Sequence, residues 1–72
     1  MELYDFLYSH VDEAVQITRN GKEIVSCAVK FVPFWVVFVY GENDIVIEKE
    51  EHDSKYKNRV LYHVSIKDNV WA

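Results

Sequence analysis

Apolar and polar positions along the chain follow first a helical period, then a strand period, with one long apolar run between two stretches of alternation. Leu3, Phe6, Leu7, His10 and Val11 share one face of a helix predicted over residues 2–12, and Glu2 and Asp5 sit where its dipole favours negative charge. Tyr4 and Tyr8, four apart on the flank, can pack together. A helix of about eleven residues is marginal alone, so its apolar stripe must rest on something, and a sheet is the obvious platform.

From Val15 the period becomes two. Val15 and Ile17 alternate with Gln16 and Thr18 and lead into Asn20-Gly21, a dipeptide suited to a type I′ hairpin turn. A two-residue turn pairs Arg19 with Lys22, Ile17 with Ile24 and Val15 with Ser26. The return strand runs to about Phe31, and its more apolar face carries Val25, Cys27, Val29 and Phe31. That conflicts with Ile17 lying opposite Ile24, and a bulge near Ser26 would reconcile the two. Residues 60–66 form the cleanest half-buried strand, with Val60, Tyr62, Val64 and Ile66 alternating with more polar neighbours.

Between these stretches, residues 31–40 carry no charge and are β-branched or aromatic apart from Pro33. Such residues fit a pleated surface, and a strand is predicted over residues 34–40. Phe34, Val36, Phe38 and Tyr40 would face one way, and Trp35, Val37 and Val39 the other. One helix covers only one face of a small sheet, so the second face needs a curled sheet, the C-terminal tail or another molecule. The candidate apolar binding surface is therefore Phe34, Trp35, Val37, Phe38, Val39, Tyr40 and Trp71. Residues 41–44 read as a turn, 45–49 as a short strand and 50–58 as a solvated loop. The whole pattern predicts an α+β fold in one domain spanning residues 1–72. One N-terminal amphipathic helix packs on a small antiparallel, mainly meandering sheet of four to five strands.

Charge narrows the function classes. A net charge of -4 argues against direct nucleic-acid binding, which relies on cations neutralising phosphates. Glu42, Asp44, Glu48, Glu50, Glu51 and Asp53 surround only Lys49 and form a second candidate protein-binding surface, or a mimic of nucleic-acid phosphates. Lys55, Tyr56, Lys57 and Arg59 make a small basic-aromatic stripe, opposed by the neighbouring carboxylates. The single cysteine, Cys27, excludes an internal disulfide framework, suits a reducing compartment and reads as a small strand hydrophobe. The first ten residues lack the basic region and apolar core of a signal peptide, and residues 31–40 are about half a membrane span. Cytoplasmic residence without a membrane is the expectation.

Candidate chemistry is sparse. The histidines stand at 10, 52 and 63. Glu51-His52-Asp53 offers metal-capable groups, but adjacent side chains on an extended segment point apart and no zinc spacing is met. His63 with Cys27 would need a nucleophile–base geometry that nothing else in the chain supports. Gly21 and Gly41 are turn glycines, so no phosphate-cradling loop is present. No cofactor, metal or catalytic residue is expected.

The opening Leu3-Tyr4-Asp5-Phe6-Leu7, with Val15-Gln16-Ile17, Asn20-Gly21-Lys22-Glu23 and the alternating strand at 60–66, resembles small uncharacterised proteins encoded by phages and mobile elements of Gram-positive bacteria. The likeness covers the first third and the last strand, and departs at the aromatic run of residues 31–40. It implies a host-interaction or defence-inhibition role and offers no catalytic residues to transfer. The expected function is thus a noncatalytic protein-interaction domain, an accessory protein that binds or inhibits a host protein. The alternatives are a structural homodimeric assembly protein and an acidic nucleic-acid mimic acting on a nucleic-acid-binding enzyme. The partner is a protein or a second copy of the chain.

Overall fold

Two hairpins laid side by side make the sheet. The computed structural model describes residues 1–53 and 59–67. Strands β1 (Ala14–Arg19) and β2 (Lys22–Ala28) form the first hairpin, and β3 (Ile45–Asp53) and β4 (Arg59–Ile66) the second. The order is β2-β1-β4-β3. Helices α1 (Leu3–Ser9) and α2 (Phe34–Tyr40) lie before the first hairpin and between the two. The α+β class and the N-terminal helix packed on a four-stranded sheet follow the sequence pattern.

Asn20 and Gly21 both take positive φ, 52° and 80°, as a type I′ turn requires. Arg19 pairs with Lys22, but Ile17 faces Val25 and Val15 faces Cys27. The register shifts because Ile24 is bulged out, two residues earlier than the sequence suggests. The bulge turns the more apolar face of β2 toward the core. Helix α1 ends at Ser9, short of the predicted residue 12, and Val11 is left exposed. Strand β3 continues to Asp53, so residues 50–53 are ladder residues and not loop; residues 54–58 lie outside the described residues.

Two expectations are corrected together. The sheet is mixed and not an antiparallel meander, because β1 and β4 pair in parallel at its centre. Residues 34–40 are a helix and not a strand. Strands β2 and β3 occupy opposite edges, so the connection over residues 29–44 must cross the sheet, about 14 Å at the usual strand spacing. A 3₁₀ turn (Val29–Phe31), Pro33 and α2 make that crossing. Pro33, at φ -60° and ψ 145°, sets the chain at the helix entrance, where a missing N–H costs nothing. Val36 is then wholly buried, with Val37 and Tyr40 half-buried, a helical spacing. Strand preference spans only about 1 kcal/mol on host scales, and the burial of this face outweighs it.

The core lies between both helices and one face of the sheet. Leu3, Phe6 and Leu7 from α1 and Val36 from α2 meet Val15, Ile17, Ile45, Val64 and Ile66. The first amides of α1 are capped by the α2–β3 turn: Leu3 N–H donates to the Asn43 carbonyl and Tyr4 N–H to that of Gly41, each at 2.9 Å. Gly41 is buried, and a Cβ there would stand 2.3 Å from the Val37 carbonyl oxygen. Gly41→Ala is therefore expected to destabilise the fold by about 2 kcal/mol, through a backbone shift that disturbs both helices. Urea unfolding checks this, and an unchanged midpoint would refute it.

Candidate protein-interaction surface

At about 100° per residue, the buried Val36 and half-buried Tyr40 and Val37 define one side of α2, and Phe34, Phe38, Trp35 and Val39 fan over the other. Phe34 and Phe38 are each 79% exposed and Trp35 52%, while Phe31, just before the helix, is 70% exposed. The two phenylalanine rings lie 6.1 Å apart and form a ridge. Tyr4 and Tyr8 make a second ridge on α1, their rings stacked at 6.5 Å and both exposed. Tyr4 and Val37 line two adjoining grooves. One is apolar, about 190 Å³, and is walled by Leu7, Tyr8, Val11, Val29 and Val32. The other, about 560 Å³, reaches Phe38, Val39, Gly41 and Glu42.

Of the apolar residues singled out in the sequence, Phe34, Trp35, Phe38 and Val39 are at the surface. Val37 and Tyr40 belong partly to the core, and the Tyr40 ring carries the Arg19 guanidinium 5.8 Å from its centre. Trp71 lies outside the described residues. Among the described residues the most exposed aromatic side chains are thus on the helices and at Phe31, while on the sheet Val46 and Ile47 of β3 are 40% and 42% exposed. Tyr4, Tyr8 and Phe31 join the candidate surface unannounced, although the i, i+4 tyrosines off the core stripe were the available signal.

The open face of the sheet carries a polar row. Gln16, His63 and Glu51 stand on β1, β4 and β3, and Glu23 of β2 extends the series. Gln16 Nε2 donates to Glu23 at 3.0 Å, and Gln16 Oε1 meets His63 Nδ1. His63 Nε2 lies 2.8 Å from Glu51 Oε1, which also takes Lys49 Nζ at 2.9 Å. The Lys49 ammonium, and then His63, hold the Glu51 carboxyl below its ordinary range. One hydrogen-bonded chain therefore crosses all four strands. Its sequence signal was only a polar residue at each alternate position.

The acidic residues do not make one row. Asp44 lies 4.0 Å from the N-terminal ammonium. Glu48 sits at a register shift of β3, and Glu50 and Glu51 alternate across the strand beyond it. Glu50 instead neighbours Tyr62, whose hydroxyl is pushed up by burial and then by the charges of Glu50 and Glu13. Glu42 is exposed at the end of α2, and Asp53 pairs in register with Arg59. Lys55, Tyr56 and Lys57 lie outside the described residues.

Cys27 is directly opposite Val15 on the helix-covered face, whereas His63 is opposite Gln16 on the open face. The sheet separates them, so they form no nucleophile–base pair. Cys27 is half-buried, and burial pushes its thiol up. Among the described residues no three histidine, cysteine or carboxylate side chains gather as metal ligands. No described helix is long and apolar enough to cross a membrane. The chain matches no family model, and no curated protein or solved structure shows significant similarity to it.

Proposed function

We propose that this is a noncatalytic protein-interaction domain that docks through the outward aromatic side of α2. The carrying observation is that Phe34, Trp35 and Phe38 are more than half exposed on a helix that the core holds in place through Val36. Aromatic anchors on a rigid element bind with little further loss of conformational freedom. An accessory role, binding or inhibiting a host protein, is one biological form of this reading, in line with the phage-like sequence pattern, and assembly with a second copy of the chain is the other. The dispersal of Glu48, Glu50 and Glu51 supports the aromatic surface over phosphate mimicry.

Capture with tagged protein from host lysate, at low and moderate salt, tests the reading. A stoichiometric companion should survive moderate salt and be lost with Phe34→Glu/Phe38→Glu, while circular dichroism stays unchanged. A companion held equally by that variant, or released by salt alone, would overturn it.

A further inference from the structure

We infer that the occupant of the aromatic surface is a second copy of this chain, with α2 packed antiparallel on its twofold mate. The inference rests on the protein-interaction reading and specifies its partner. Three observations carry it. First, area: at about 200 Å² for a fully exposed aromatic residue, the exposed parts of Phe31, Phe34, Trp35, Phe38, Tyr4 and Tyr8 amount to roughly 830 Å². A monomer's largest apolar patch is about 300–600 Å². One side of a standard interface buries about 800 Å². Second, self-compatibility: residues 31–41 carry no charge, so the centre of a symmetric contact opposes no like charges despite the net charge of -4.

Third, the flanks are complementary under a twofold axis. Exposed Lys30 precedes the N-terminal end of α2, with its Nζ 5.5 Å from the Phe31 ring centre. Exposed Glu42 follows the C-terminal end. Antiparallel pairing places each Lys30 toward the other copy's Glu42, twice over by symmetry. Parallel stacking would oppose like charges instead. The two aromatic ridges, on α1 and α2, give the contact ridges and grooves to interlock.

Sedimentation across a wide concentration range tests the inference on the full chain. The wild type should pass from 8.6 kDa to twice that mass as concentration rises. Phe34→Glu/Phe38→Glu should raise the dimer dissociation constant more than about a hundredfold with an unchanged circular dichroism spectrum. Lys30→Glu should weaken the dimer about tenfold, and adding Glu42→Lys should restore it. A wild type that stays at 8.6 kDa, a dimer indifferent to the aromatic changes, or a charge swap that fails to rescue would overturn the antiparallel dimer. A monomeric wild type whose lysate companion is still lost with the aromatic variant would refute self-pairing alone. Failure of both assays would remove the surface as an interface.

Discussion

Phe6→Ala is expected to remove about 3–5 kcal/mol of stability, the usual cost of emptying an aromatic site in a core. A chain of 72 residues has about 4–10 kcal/mol to lose, so the variant should be largely or wholly unfolded in mild denaturant. The size of the effect follows from where Phe6 sits. It is fully buried, stacked on His10 at 4.2 Å and met edge-on by Tyr62 at 5.2 Å. It joins α1 to β4, one of the two central strands of the mixed sheet. Little can collapse into the space it leaves, because β4 beneath it is fixed by ladders on both sides and the core around it is closely packed. Tyr8→Ala on the same helix is the control and should shift stability by no more than about 0.5 kcal/mol. Comparable urea midpoints for the two variants would contradict the packing described.

That contrast also shows why α1 was legible in the sequence and α2 was not. Leu3, Phe6 and Leu7 repeat at helical spacing among polar residues, so period and burial agree. In residues 34–40 every position is apolar, and no period can be read from a run without polar residues to mark its outer side. Composition then points to a strand, since valine and aromatics favour one. The deciding fact is non-local: β2 and β3 fall on opposite edges, which obliges the intervening chain to cross the sheet. Pairing order is not written in either hairpin. Pro33 and Gly41 bracket the helix, but both serve equally well as the ends of a strand.

The candidate surface was partly legible for the same reason. An uncharged run with more apolar area than a small core can cover must leave some of it outside, whatever its secondary structure. The residues this singles out include Phe34, Trp35, Phe38 and Val39, which are exposed, but also Val37 and Tyr40, which pack partly against the core, and strand alternation puts Val36 with Phe34 and Phe38. The polar chain through Gln16, His63 and Glu51 needed the parallel β1–β4 register before it could be seen. The bulge at Ile24 was implied by the conflict of faces in β2, and only its position was missing.

The central claim is that residues 34–40 turn as a helix, burying Val36 and presenting the aromatic side chains. Equilibrium unfolding of Val36→Asp beside Phe38→Asp, at a concentration low enough to keep the chain monomeric, tests it most directly. A helix places the two on opposite sides, whereas a strand places them on the same face. Val36→Asp would bury an unpaired carboxylate and should cost at least about 3 kcal/mol, a large share of the stability the chain has. Phe38→Asp should leave stability within about 1 kcal/mol, because its ring is 79% exposed. That asymmetry is the predicted result. Equal losses for both variants, as two residues on one buried strand face would give, would contradict the helix and the surface built on it.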